Sequence, residues 1–170
     1  MAVIPELSAV RTRGVRWAML AIGATVLAAD QVSKTLVLGL HPAEGTGLIA
    51  VRLVRNTGAS GGIAAGYPVL VTLAAAAIAC VAGALAVRVT GRGVAICLAV
   101  VLGGALGNLS DRLLRSPGLG HGAVVDWIHV AGRGGSFNVS DLAIQLGAVG
   151  ALIAMLVANR ARKPRPQPAE

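Results

Sequence analysis

Three stretches of this chain are too long and too apolar to belong to an ordinary soluble domain. Gly58 to Val87 runs for thirty residues without a charged side chain, and Gly93 to Ser110 and Leu142 to Asn159 run for eighteen each. A helix of about 18 or more apolar residues can cross a hydrocarbon core about 30 Å thick. A fourth stretch, Arg16 to Leu38, is also of spanning length, with Asp30 and Lys34 near its far end. Its first part, Trp17 to Ala29, follows basic residues as a signal-peptide core does, but apolar sequence resumes at Thr35, so it reads as a retained helix. The expected fold is an all-α integral membrane bundle of four transmembrane helices, near 16–38, 68–88, 93–112 and 141–159. It forms one domain over 1–160 with a disordered polar tail, 161–170.

The formal net charge of +8 is not spread evenly. Nine Lys/Arg lie in the N-terminal, 88–92 and C-terminal segments, and six (Lys34, Arg52, Arg55, Arg112, Arg115, Arg133) lie at or in the other two loops. Positive charge marks the cytoplasmic side of a membrane, so both termini are expected in the cytoplasm. Nucleic acid is not an expected partner: with one Phe and one Tyr the chain has no platform for base stacking. Cys80 and Cys97 fall inside apolar runs, with no CxxC and no Cys/His cluster, and read as small buried hydrophobes rather than a zinc site or a disulfide.

This topology sends Asp30, Asn56, Asn108, Asp111, Asp126 and Asp141 to one end of the bundle, the outer one, where carboxylates meet both water and lipid. Charges at mid-bilayer cost about 2.5–3.5 kcal/mol on insertion scales, and a place near the rim lowers that cost. Between the first two helices, "LIAVRLVRN" (48–56) alternates loosely and suits one or two short strands. The glycine-rich 116–136 loop reads as turns and mobile backbone. Gly103 and Gly107 form a small-xxx-small pair that admits a neighbouring helix.

Asp126 and Asp141 carry the chemistry in one of two readings. If they lie close together they cannot both ionise easily; one keeps a proton, and the pair can hydrolyse a peptide without metal, serine or cysteine. Alternatively each pairs with an arginine such as Arg112 or Arg133. In "DQVSK", Asp30 and Lys34 at i and i+4 either form a helix-surface pair or brace a neighbouring loop. In "GNLSDRLLR", Asn108, Asp111 and Arg112 share one helical face, as a helix-end ion pair or as support for the two aspartates and the substrate backbone. Asn56 and Asn138 suit turns, or amide hydrogen bonds to an extended peptide. His41, His121 and His129 have no metal-ligand spacing. "GASGG" fits G-x-S-x-G around Ser60 by letter only, without a convincing strand–turn–helix setting. A proton-linked transporter or lipid-binding membrane protein could use the same carboxylates, but it would string them through the bilayer rather than gather them at one face.

The segments "DQVSK" (30–34), "RNTGAS" (55–60), "GGALGNLSDRLLR" (103–115), "VVDWI" (124–128) and "FNVSDLAI" (137–144), in this order across four spans, resemble the lipoprotein signal peptidase family, signal peptidase II. The resemblance implies a cofactor-free aspartic endopeptidase of the bacterial plasma membrane, a monomer acting at its extracytoplasmic face with membrane lipid as a partner. Its substrates would be diacylglyceryl-modified prolipoproteins, cut just before the lipid-bearing cysteine. By motif position Asp126 and Asp141 would be the catalytic pair. Asp30, Lys34, Asn56, Asn108, Asp111, Arg112 and Asn138 would be supporting residues, and the family's small β-structure and flexible loop would fall within 40–67. The chain departs from the family pattern at Gly61, where phenylalanine is usual, at His129, where a second acid is common, and at Ser140, where alanine is common. The segment between Asp126 and Asp141 is slightly short.

Overall fold

The computed structural model describes residues 13–132 and 134–161. Four helices, α1 (Arg13–Leu40), α2 (Pro68–Arg88), α3 (Arg92–Leu114) and α4 (Val139–Ala161), run back and forth. Three strands, β1 (Ile49–Asn56), β2 (Val124–Val130) and β3 (Ser136–Phe137), lie in the α1–α2 and α3–α4 connections at one end. All four helices are long and apolar enough to cross a membrane. α2 keeps the expected limits and the other three run slightly past theirs, so Ala161 closes α4. The rest of the expected tail and the basic residues at 11, 162, 163 and 165 lie outside the described residues.

What is buried and what is exposed follows from a lipid surround. Large apolar side chains such as Leu36, Leu73, Leu146 and Val157 point outward, whereas the helix contacts are made by Ala79, Ala82, Ala86, Ala95, Ala99, Ala105 and Ala151. Lipid tails are as apolar as leucine, so burying leucine between helices gains little, and small residues win because they let backbones approach. α3 is the centre: α1, α2 and α4 all pack on it, α1 touches α4 more lightly, and α2 packs on neither. A Cβ built on Gly103 would lie 2.5 Å from the Gly23 carbonyl oxygen of α1, and one on Gly107 would lie 2.7 Å from Asp30 Oδ2 and press on Ser140 of α4. The glycine pair thus seats α3 against two helices. Cys80 departs from expectation: it faces outward from α2 and Cys97 is half-buried, since the outer surface is itself apolar.

The sheet has the order β1-β2-β3, antiparallel throughout. A register shift between Val51 and Val54 lets Val54 face Asp126 and Asn56 face Val124. Such a bulge re-aims the residues beyond it, here turning the end of β1 toward the bundle. The 48–56 segment is one strand, and the 116–136 segment, expected as turns, contains β2 and β3. "VVDWIHV" has five β-branched or aromatic residues, but its partner β1 lies far away in sequence, and the glycines around it hide the strand from a local reading.

Gly103→Ala should lower stability by about 1–3 kcal/mol, because the new methyl meets a backbone oxygen that cannot step aside. Gly83→Ala, whose Cβ would find only the Leu102 side chain at 3.9 Å, should be neutral or slightly stabilising. Thermal unfolding of the two variants in one detergent checks the contrast.

Candidate active site

Lys34 is fully buried, and its ammonium has found three acceptors. Nζ lies 2.7 Å from Asp30 Oδ2 and 2.9 Å from Asp111 Oδ2 and donates to Asn108 Oδ1 at 3.1 Å. Both carboxylates are themselves fully buried and are used further. Asp30 Oδ1 accepts the Ser140 backbone N–H at 2.9 Å, and Asp111 Oδ2 accepts the Val125 backbone N–H at 3.1 Å. Asp111 Oδ1 accepts from Arg115 Nε at 2.6 Å and from Gln31 Nε2 at 3.1 Å. The helix-surface pair suggested by the spacing of Asp30 and Lys34 is therefore part of an interior brace. It reaches the residues immediately before Asp126 and Asp141.

Each of those two aspartates is placed by local rules. Asn138 precedes α4; its Oδ1 accepts the Asp141 N–H at 2.9 Å, and Asp141 Oδ2 accepts the Asn138 N–H at 3.3 Å. This reciprocal arrangement is a capping box, with an acid three residues after the cap. It also sets Asp141 at the positive end of the helix dipole. Asp126 sits in β2 with its side chain turned into the bundle, 3% exposed.

Three asparagines aim amide N–H groups at the pair, and in each the carbonyl end is already taken by a donor. Asn108 has Lys34 on Oδ1, so Nδ2 donates to Asp141 Oδ1 at 2.8 Å. Asn138 has the Asp141 N–H on Oδ1, so Nδ2 donates to Asp126 Oδ1 at 2.6 Å. Asn56 has the Gly58 N–H on Oδ1 at 2.9 Å, so Nδ2 donates to Asp126 Oδ2 at 3.1 Å. An ammonium or a backbone N–H accepts no hydrogen bond, so the amide orientations are set by chemistry. Asn138 joins the two aspartates directly, one through its side chain and one through its backbone.

Neither Asp126 nor Asp141 has a salt-bridge partner among the described residues. Arg112, suggested by spacing as such a partner, donates instead to the Thr57 carbonyl at 3.3 Å and to the Gly58 carbonyl, holding the 57–62 loop. Arg133, the other suggested partner, lies outside the described residues. Burial raises the Asp126 carboxyl from its ordinary value to about 6; the neighbouring charge of Asp141 adds to the rise, and the Asn138 and Asn56 amides oppose it. Both carboxyls are thus served by amide donors, with no ion-pair partner among the described residues.

Both line a cleft of about 510 Å³ walled by α2, α3, α4 and the sheet, with Asn56, Asn108 and Arg112 on its surface. Such a volume suits an extended stretch of peptide. All nine residues singled out from the sequence belong to this region. The sequence reading passed over Gln31 and Arg115, although Gln31 lies inside "DQVSK" and Arg115 follows Asp111 by one turn. It could not find the backbone donors of Ser140 and Val125, which carry no side-chain signal. His129 is drawn away from the cleft, its Nδ1 3.1 Å from the Gly135 carbonyl. The "GASGG" segment holds only a three-residue 3-10 turn, Ser60–Gly62, with Gly61 at φ +67°, a conformation that glycine adopts freely. Among the described residues no three His, Cys, Asp or Glu side chains gather as metal ligands.

Known proteins share this fold. The fold is that of a solved bacterial membrane enzyme at 2.3 Å resolution, with a TM-score of 0.75, 22% identity, and coverage of 89% of this chain and 95% of that one. A second such structure, at 1.9 Å, has a TM-score of 0.69 at 23% identity, over 82% of this chain and 93% of that one. A lipoprotein signal peptidase of Rhodococcus jostii (strain RHA1) is 40% identical over 149 residues, 84% of this chain and 74% of that protein. One of Mycobacterium avium (strain 104) is 38% identical over 136 residues, 77% of this chain and 74% of that protein. The model of signal peptidase (SPase) II matches residues 22–157, a range that takes in α2, α3, most of α1 and α4 and every residue of the brace, and the chain belongs to the signal peptidase II family.

Proposed function

We propose that this chain is a membrane aspartic endopeptidase that removes signal peptides from diacylglyceryl-modified prolipoproteins, cutting just before the lipid-bearing cysteine. The observation that carries this reading is the pair Asp126 and Asp141, joined by Asn138 and without a salt bridge among the described residues, at the wall of a cleft between helices. The relatives in Rhodococcus jostii and Mycobacterium avium are named as lipoprotein signal peptidases, which supports the substrate class.

In the reaction Asp141, at its helix N-terminus, takes a proton from a water molecule as the oxygen attacks the scissile carbonyl carbon. Asp126, whose carboxyl burial raises toward neutral pH, acts in its protonated form and donates that proton to the carbonyl oxygen, giving a neutral tetrahedral diol. Collapse of the diol breaks the C–N bond. The proton held by Asp141 goes to the departing amine of the cysteine, and Asp126 recovers its own from a diol hydroxyl. Asn108, Asn138 and Asn56 keep the carboxyl oxygens in place throughout. The substrate's signal helix enters sideways from the lipid and its acyl chains stay in or near the bilayer. The excess of basic residues in the N-terminal, 88–92 and C-terminal segments supports cytoplasmic termini and a site at the outer face of the plasma membrane. The chain works as a single domain over 1–160, as a monomer and without a cofactor.

Incubating the purified protein with a lipid-modified precursor, with and without a metal chelator, tests the reading: the expected result is the same gel shift in both, with mass spectrometry placing the cut before the lipidated cysteine. A cut elsewhere, or none, would overturn it. Asp126→Asn and Asp141→Asn should each lower the cleavage rate by about 10³-fold or more while the unfolding transition is retained; near-normal processing by either variant would refute the pair.

The raised carboxyl of Asp126 also predicts a pH dependence of stability. Between about pH 4 and pH 6 the folded protein holds a proton there that the unfolded chain has lost, so this residue's contribution to stability falls as pH rises through that window. Unfolding of Asp126→Asn beside the parent at pH 4 and pH 7 should therefore shift in the variant's favour at the higher pH. Lys34→Met removes the cation between two buried carboxylates and should destabilise the fold by about 3–5 kcal/mol, read as a large drop in melting temperature.

A further inference from the structure

Among the described residues, Gln145 is the one cleft-lining side-chain amide that the bundle does not use. It lies four residues beyond Asp141 on α4, on the same helical face, and lines the same cleft. It is exposed, and beside it Leu142, Leu146 and Val149 are exposed as well. Its side chain makes no hydrogen bond among the described residues, in contrast to Asn56, Asn108 and Asn138. A primary amide in an apolar setting is costly unless something pairs with it. Opposite, α2 presents Ala74, Ala75 and Ile78. Because α2 and α4 pack on α3 but not on each other, the cleft is a slot between them, and Gln145 stands at its edge.

We propose that Gln145 binds the main chain of the signal peptide about two residues before the scissile bond and holds that segment extended. The inference rests on the peptidase reading above. Four residues of helix rise about 6 Å, and an extended peptide covers about 3.3 Å per residue, so a strand with its scissile bond at Asp141 passes Gln145 about two residues away. α4 runs from Asp141 into its apolar length, Leu142 to Asn159. The apolar part of a precursor lies on that same side, ahead of the cut. Unwinding this part bares N–H and C=O groups where water is scarce, and a glutamine supplies both a donor and an acceptor. Main-chain recognition makes no demand on the substrate side chain, and the small residues of α2 leave room for different ones.

The test uses the full-length enzyme in lipid nanodiscs with synthetic diacylglyceryl lipopeptides, one all-amide and one in which the backbone amide of the second residue before the cut is replaced by an ester. For the parent enzyme the ester should raise KM about three- to tenfold, as loss of one hydrogen bond implies, with kcat nearly unchanged. Gln145→Leu should raise KM on the all-amide peptide by a similar factor and show no further rise with the ester. The ester alters the substrate only, so this arm does not depend on how the variant folds. Parental KM in Gln145→Leu, or two losses that multiply, would overturn the inference while leaving the peptidase reading intact. Failure of the parent to cut the all-amide peptide would overturn that reading and the inference with it.

Discussion

The site hangs on one ammonium group. Lys34 is buried with Asp30 and Asp111 at 2.7 and 2.9 Å, and each of its partners holds something else. Asp30 holds the first turn of α4 through Ser140, Asp111 holds β2 through Val125, and Asn108 holds Asp141. Replacing a buried ion cluster by well-packed apolar residues is often neutral or stabilising, so its main yield here is geometry. Helices that slide on one another through alanine and glycine contacts have little to set their register. Three ionic and amide bonds from one cation supply it.

From that cation outward the polarity of the site alternates in a fixed order. The ammonium takes the asparagine oxygen, the asparagine nitrogen takes the carboxylate, and the helix N–H and the asparagine cap settle the rest. The positive charges are spent on other partners: Lys34 on the brace, Arg115 on Asp111 and Arg112 on the Thr57 and Gly58 carbonyls. Asp126 and Asp141 are thereby left to amide donors. A carboxyl paired with an arginine would stay ionised and give up its use as an acid. The same arginine that could have done this instead holds the loop that edges the cleft.

The membrane makes this economy workable. Lipid asks nothing of the outer faces except that they be apolar, so the buried polar residues can gather at one end of the bundle. α2, packed on α3 alone and tied to the 116–122 loop by the Thr72 hydroxyl bond to the Gly120 carbonyl at 2.8 Å, leaves a side of the cleft open toward lipid.

The four spans, the small-residue seam of α3 and the identity of the polar residues were legible in the chain, because each depends on composition and short spacing: eighteen apolar residues make a span whatever surrounds them. β2 was not legible, since a strand among glycines exists only once β1 arrives to pair with it. The outward place of Cys80 was not legible either, because an apolar helix gives no sign of which side faces lipid. Spacing left two roles open for Asp126, Asp141 and Arg112, ion pair or independent carboxyls. Only the tertiary structure showed that Arg112 serves a loop rather than a carboxylate, because that depends on where it finds its acceptors, and those carbonyls lie more than fifty residues earlier in the chain.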